Sequence, residues 1–388
     1  MNIAILGFGT IGSGVYDIIA KKFSPFLQDI NVTKILIRPG KEKKLQTMTS
    51  DFEDIVNDPS IDLIVETMGG IHPAYEYIRS ALSHRKHVVT ANKAVIAQYM
   101  NEFITIAQAN NVFLSFEAST AGGIPWIASI QKARRIDNIS KFYGILNGTT
   151  NDILDSMDEK NEGFATALAN AQGLGYAEAD PSADIDGIDV RNKVVISAAI
   201  SFNYTIDIDK FPCFGIRNIS KIDVDHFKQK DLAIKLIGEA RRNGDKYEAF
   251  VMPDLFHRDT IEANVKRNLN VVTLYGDTIG ELKFYGQGAG KMPTANAVIQ
   301  DILDIYSKKA EYTIDVSKKA SFCDTLNKNK YVIRTNKEMK IPAFIKIEEQ
   351  SGLFYHYTDA ITIADMQILA NEALNIDKNF FIMKIADF

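Results

Sequence analysis

Three glycines near the start of the chain constrain it most. Gly7-Phe8-Gly9-Thr10-Ile11-Gly12 is a GxGxxG between a strand-length apolar run, Ile3 to Leu6, and a segment of helical period, Ile11 to Phe23. Gly7 permits a tight turn, Gly9 lets the backbone approach a pyrophosphate, and Gly12 lets helix and strand pack closely. Phosphates would sit at the helix N-terminus, where unpaired N–H groups and the dipole favour anions. A bare GxGxxG is a weak signal, and a glycine-rich turn without a ligand is the alternative. Its place at the head of a βαβ unit carries the dinucleotide reading. The opening run is a buried strand and not a signal peptide, because it has no basic n-region and breaks at Gly7.

The pattern that follows extends this unit. Strand-length runs at Val32 to Ile37, Asp62 to Glu66, Val88-Val89 and Val112 to Phe116 alternate with helical segments. One of these helices is opened by Pro73, and another runs from Ile96 to Ala109. Strands alternating with helices build a parallel sheet covered on both faces, here a Rossmann-type doubly wound sheet over residues 1–130. Beyond it, Phe142 to Leu146, Glu248 to Met252, Val271 to Tyr275 and Leu282 to Tyr285 predict strands with fewer intervening helices. This is an α+β substrate and dimerisation domain over 131–291. A helix within 292–308 is expected to return to the first domain. A small α+β module occupies 310–388, with strands at Tyr331 to Arg334, Ala343 to Ile347 and Phe380 to Ile385 and a helix from Ile363 to Leu374.

Composition narrows the partners. Of 388 residues 46% are hydrophobic and 24% charged, the profile of a globular protein with room for two or three cores. A net charge of -5 argues against nucleic acid, which needs a concentrated basic surface. No apolar stretch reaches the roughly 18 residues that span a membrane, and a cytoplasmic location is expected. The two cysteines, Cys213 and Cys323, cannot make a disulfide framework or a metal cluster.

The end of the second strand addresses cofactor choice. An acidic residue there would bind the ribose 2′-hydroxyl of NAD; instead Arg38 follows Ile37, with Lys41, Lys43 and Lys44 close behind. Basic residues at this place suit a 2′-phosphate, so NADP is favoured and NAD remains open. The alternative is a solvated surface run.

Six further segments carry the substrate chemistry. Val65-Glu66-Thr67-Met68-Gly69-Gly70 and Val88-Val89-Thr90-Ala91-Asn92-Lys93-Ala94 each end a strand at the edge where a nicotinamide meets the sheet. The run from Gly175 to Lys193 is dense in carboxylates, and Gly286 to Ala295 is a second glycine-rich loop before a helix. Asn147-Gly148-Thr149-Thr150-Asn151 and Glu117 to Pro125 complete the set. Taken in chain order, from Met1 to about Tyr306, the segments resemble homoserine dehydrogenase. That family reversibly reduces L-aspartate 4-semialdehyde to L-homoserine with NAD(P)H, in threonine and methionine biosynthesis.

The resemblance implies roles, and the residue chemistry agrees with them. The substrate is an amino acid with an aldehyde, so its site needs an anion for the ammonium and cations for the carboxylate and the developing alkoxide. Glu178 is similar to the family's substrate-binding carboxylate. Asp189 and Lys193 lie i and i+4 on one helix face, in a helix whose next turns are apolar. The resemblance gives Lys193 proton transfer, Asp189 the substrate or the lysine, and Lys93 a second active-site lysine near nicotinamide and substrate. A surface salt bridge is the alternative for the helix pair. Cofactor contacts are implied for Gly7, Phe8, Gly9, Thr10, Ile11, Gly12, Arg38, Met68, Gly69, Thr90, Lys93 and Gly290. A monovalent cation, sodium in the family, would be held by backbone carbonyls at Glu117, Thr120, Gly122 and Ile124, where a plain strand-to-helix turn is the alternative.

The tail departs from the family pattern. Where an ACT regulatory domain would show Pro-Gly-Val-Leu, this chain has Tyr355-His356-Tyr357-Thr358-Asp359-Ala360. The tail is a diverged or shortened ACT-like module or an oligomerisation element of a homodimer or tetramer. Two other functions compete: a sugar or imino-acid reductase on the same scaffold, and a silent cofactor-binding sensor. The first leaves the Glu178 to Lys193 segment without a role, and the second has no reason to keep Lys93, Asp189 and Lys193. An acyl-enzyme aldehyde dehydrogenase would need a nucleophilic cysteine in a matching motif.

Overall fold

In the computed structural model, which describes residues 1–310, 314–318 and 320–386, the alternation of the first third becomes regular structure. It runs β1 (Asn2–Leu6), α1 (Thr10–Lys21), β2 (Asn31–Leu36), β3 (Met48–Thr49), α2 (Glu53–Val56), β4 (Leu63–Glu66) and α3 (Ala74–Ser83). Then come β5 (His87–Thr90), α4 (Lys93–Asn110), β6 (Leu114–Ser115) and α5 (Trp126–Ala133). The six strands form one parallel sheet in the order β3-β2-β1-β4-β5-β6, the doubly wound dinucleotide-binding order. Ile3, Ile5, Leu63, Val65 and Val89 are fully buried in it, as near-continuous apolar runs in a sheet covered on both faces require.

The middle of the chain begins with β7 (Ile139–Ile145) and continues through α6 (Gly148–Glu159), α7 (Phe164–Gly173), α8 (Ser182–Ile185), α9 (Ile188–Phe202) and α10 (Lys221–Lys228). The strands β8 (Leu232–Asn243), β9 (Lys246–His257), β10 (Leu269–Gly276) and β11 (Gly280–Gln287) follow, then α11 (Lys291–Tyr306). The expectation of few helices here is corrected: five lie between β7 and β8. Their signals are local. Asn147 caps α6 by accepting the Thr150 N–H at 2.8 Å, and α6 buries Ile153, Leu154 and Met157 at helical spacing.

The tail supplies β12 (Ser321–Phe322), β13 (Lys328–Thr335), β14 (Phe344–Gln350), β15 (Leu353–Thr358), β16 (Ile361–Thr362), α12 (Ile363–Ile376) and β17 (Phe381–Ile385). Its strands join those of the middle in an 11-stranded sheet ordered β11-β10-β7-β8-β9-β17-β13-β15-β14, with β12 beside β9 and β16 beside β13. The Tyr355 to Thr358 run lies inside β15, with Tyr355 and His356 buried.

The chain divides into two compact units. The first holds residues 1–135, 196–205 and 287–319, the second 136–195, 206–286 and 320–388. In the first, α11 packs along α1: a Cβ on Gly14 would stand 3.0 Å from the Ala295 Cβ, so a side chain there would push the helices slightly apart. In the second, the tail is tied in by a buried ion pair. Arg334 on β13 donates to Asp223 on α10 at 3.1 Å, and Asp223 also accepts the Tyr355 hydroxyl at 2.9 Å. One apolar cluster there gathers Phe250, Met252, Tyr331, Ile333 and the inner face of α12.

Candidate active site

The glycine turn of the first unit has the shape a dinucleotide needs. Gly7 sits at φ +94°, outside the range of most side chains. A Cβ on Gly12 would fall 2.0 Å from the Gly7 carbonyl oxygen, so helix and turn meet only because it is absent. A Cβ on Gly9 would meet no atom within 4 Å, which leaves that backbone open to a ligand. Gly9 and Thr10 are exposed at the start of α1, while the Phe8 ring packs edge-on against Tyr16 at 5.7 Å. Ile11 is half-buried. These residues fit a bound pyrophosphate.

Arg38 is exposed, as are Lys41, Lys43 and Lys44. Strand β2 ends at Leu36, so Arg38 follows an extra residue, Ile37, instead of abutting the strand; the Ile37 N–H still bonds the Thr49 carbonyl at 2.9 Å. Met68 and Gly69 leave the end of β4, and Thr90 closes β5. Lys93 is half-buried at the first position of α4, whose cap Asn92 accepts the Val95 N–H at 3.4 Å. Gly290, at φ +130°, precedes α11.

The second unit assembles the carboxylate-rich segment. Helix α9 opens after Gly187, at φ +82°, and carries Asp189 and Lys193 one turn apart, 5% and 8% exposed. The Lys193 ammonium donates to the Asp189 carboxylate and to the Leu146 carbonyl, each at 2.6 Å. Asn147 donates to the same Asp189 oxygen at 2.8 Å and to Asp184 at 2.7 Å. A surface ion pair is solvated and worth little; this one is buried within a hydrogen-bonded network. Asn147 and Asp184 are the members that residue spacing did not single out, since their contacts are 42 and 37 residues apart in the chain. Glu178 is exposed on the loop after α7, where its carbonyl accepts from the Gln172 amide at 3.0 Å.

In the first unit, the segment nominated for a cation is buried at Glu117, Thr120, Gly122 and Ile124. The Glu117 carboxylate accepts the N–H groups of Ile127 and Ala128 at 2.9 and 2.7 Å, at the start of α5, and its own N–H donates to Asp301. Burial pushes the Glu117 carboxyl up to about 7. Asp301 is raised as well, first by burial and then by the Glu117 charge. Cys213 gains no support as a nucleophile, because burial pushes its thiol up to about 11.

A doubly wound sheet with an open glycine turn, in a chain whose second unit buries a hydrogen-bonded lysine–carboxylate pair, defines a nicotinamide-dependent dehydrogenase. Comparison with known proteins makes this specific. Residues 7–117 match the family model "Homoserine dehydrogenase, NAD binding domain", and residues 125–303 match "Homoserine dehydrogenase". The chain is similar to the homoserine dehydrogenase of Synechocystis, 40% identical over 79% of this chain and 73% of that protein. The crystal structure of a homoserine dehydrogenase from Thiobacillus denitrificans superposes with a TM-score of 0.90 at 29% identity, covering 100% of this chain and 98% of the other. A hyperthermophilic archaeal homoserine dehydrogenase in complex with NADPH matches with a TM-score of 0.69 at 25% identity, over 80% and 99% of the two chains. The chain belongs to the homoserine dehydrogenase family. It is an NAD(P)-dependent oxidoreductase that interconverts L-aspartate 4-semialdehyde and L-homoserine.

Proposed function

We propose that Lys193 is the proton donor to the aldehyde oxygen during reduction, and that Asp189 holds it in place. The observation that carries this is the buried Lys193 ammonium, fixed at 2.6 Å by both Asp189 and the Leu146 carbonyl. When bound, the nicotinamide supplies the hydride. As charge grows on the substrate oxygen, a lysine so oriented stabilises it and gives up a proton; in the reverse direction it takes the proton back. Asn147 shares the Asp189 carboxylate and keeps it aimed at the lysine. Glu178 binds the substrate ammonium, and Lys93 serves the nicotinamide side of the substrate.

NADP is the preferred cofactor in this reading. Arg38 and the three lysines present a basic surface after β2, and a related archaeal enzyme is described with NADPH. Gly7 to Gly12 hold the pyrophosphate, and Met68, Gly69, Thr90, Lys93 and Gly290 line the remainder. A sodium ion would take the carbonyls of Glu117, Thr120, Gly122 and Ile124. Two of these already accept backbone bonds, from Thr120 at 3.2 Å and Trp126 at 2.7 Å, and each keeps a second lone pair.

Residues 1–130 with the α11 segment hold the cofactor, 131–291 bind the substrate, and 310–388 form an ACT-like or oligomerisation module. A homodimer or tetramer is the assembly this reading favours, supported by apolar side chains exposed on the two edge strands of the large sheet, Tyr285 (58%) on β11 and Ile345 (66%) on β14. No helix among the described residues is long and apolar enough to cross a membrane, and a cytoplasmic enzyme is proposed.

The test is homoserine oxidation followed spectrophotometrically with each cofactor, in the wild type and in Glu178→Gln. The variant should raise KM for homoserine far more than for an analogue lacking the amino group, by the ten- to hundredfold of about 1.5–3 kcal/mol for a charge-assisted bond. Equal losses for both substrates would remove Glu178 from the site.

A further inference from the structure

We infer that Glu66 is a positioning residue for the nicotinamide half of the cofactor, acting through a ring of hydrogen bonds that joins two loops. The inference rests on the reading above, in which Met68, Gly69, Thr90 and Lys93 surround that half. Glu66 ends β4 and is 0% exposed. One carboxylate oxygen accepts the Met68 N–H at 2.7 Å, and the other accepts the Thr90 hydroxyl at 2.5 Å. The Thr90 oxygen in turn accepts the Asn92 N–H at 3.0 Å, and the Asn92 amide donates to the Gly70 carbonyl at 2.6 Å. The ring therefore runs from Glu66 through Thr90 and Asn92 to Gly70 and back along the loop to Met68. Asn92 also caps α4, so the ring sets where Lys93 begins.

A buried acid in a parallel sheet needs an explanation. Neighbouring strand ends in this unit are apolar or hydroxylic, and an ionised side chain at 0% exposure costs free energy unless its oxygens are bonded. Burial raises the Glu66 carboxyl, while bonds from Thr90 and from the N–H groups of Met68 and Gly69 pull it back. What the acid gains is reach: its two oxygens accept from both loops at once. The loop it anchors is one that would otherwise drift. Gly69 and Gly70 lie consecutively at φ +74° and +75°, where glycine has the most freedom to lose. Glu66 itself touches neither cofactor nor substrate in this scheme; it fixes the groups that do.

The experiment measures the NADPH dissociation constant by fluorescence titration, with Tm taken in parallel, for Glu66→Gln, Asn92→Ser and the double variant; serine keeps the α4 cap but is too short to reach the Gly70 carbonyl. Glutamine keeps the shape but offers one acceptor oxygen, so one of the two loops loses its anchor. Each single variant should weaken NADPH binding by about tenfold, the effect of one lost hydrogen bond in the ring. The double variant should be no worse than the poorer single, because the two residues act in one ring. KM for homoserine at saturating cofactor should stay within about twofold of wild type, since uniform substrate binding is untouched. Should Glu66→Gln fail to fold, Asn92→Ser reads the same ring from its other side, at a residue outside the cofactor set. A fall in Tm with NADPH affinity unchanged in both single variants overturns the inference and leaves Glu66 a packing residue. Gly9→Val separates the two levels: if it weakens NADPH and the ring variants do not, the ring is wrong and the cofactor loop stands. If Gly9→Val is also silent, the cofactor assignment itself falls, and the ring with it.

Discussion

The Lys193 ammonium lies 2.6 Å from the Asp189 carboxylate, one turn of α9 away, and both are buried. A buried pair of this kind is a poor way to stabilise a helix, because desolvation offsets the Coulomb gain. Lys193→Ala is therefore expected to remove turnover by about 10²–10⁴-fold, the contribution of a positioned proton donor. NADPH affinity should change little, as the lysine belongs to the second unit and the glycine turn to the first. A kcat near the wild-type value in this variant would move proton transfer elsewhere.

Cofactor choice gives a second expectation. Arg38→Asp should shift the ratio of kcat/KM values from NADP toward NAD by about one to two powers of ten, through loss of a charge-assisted pair. Lys41, Lys43 and Lys44 are exposed and should each matter less, and less again at high salt. Dissociation constants for both cofactors, measured beside the kinetics, separate preference from inhibition by a cofactor bound too tightly. Equal wild-type affinity for NAD and NADP at low salt would show that Arg38 does not read the phosphate.

The acid beside α5 should leave its mark on stability. The Glu117 carboxyl is raised to about 7 in the folded chain from an ordinary 4.5, so the folded state binds the proton more readily. Stability from this group is then full below about 4.5, falls as pH rises, and levels off above about 7. Glu117→Gln removes the titration. The unfolding free energy of the variant relative to wild type should rise across that interval, by an amount on the order of 1–3 kcal/mol. A pH-independent difference between the two proteins would mean that Glu117 does not titrate there.

Asp223 offers a fourth test, in the second unit. It accepts Arg334 and the Tyr355 hydroxyl and closes the capping box of α10 with Ser220. Asp223→Ala takes from a buried guanidinium its nearer carboxylate and leaves it Asp377 at 3.9 Å, and breaking such a pair typically costs about 3–5 kcal/mol. Denaturant unfolding should show this loss. A change under about 1 kcal/mol would imply that Arg334 finds other partners or that water enters beside it.

Much of this was legible in the residues, for a physical reason in each case. The glycine turn and its flanking strands speak through local geometry, and β1, β4 and β5 stand within a residue or two of where their apolar runs put them. Asp189 and Lys193 are neighbours by helical spacing alone. What the sequence hid is what distance along the chain hides. Asn147 reaches Asp184 and Asp189 only through the fold, and nothing about Glu66 in isolation says that it meets Thr90 across two strands. The helices between β7 and β8 had weaker signals, because α8 is a single turn and α7 buries only Ala167 and Ala171.

The place of β17 has a consequence for how the protein is made. It is the last of the described strands, yet it lies inside the large sheet, parallel to β9 on one side and antiparallel to β13 on the other. It also brings Lys384, which stands 2.9 Å from Asp254 and 3.4 Å from Glu239, both buried. A ribosome releases β8 and β9 long before that lysine. Until then the nascent chain must keep an unzipped sheet edge and Asp254 without the lysine it pairs with, so the sheet can close only once residue 385 has emerged.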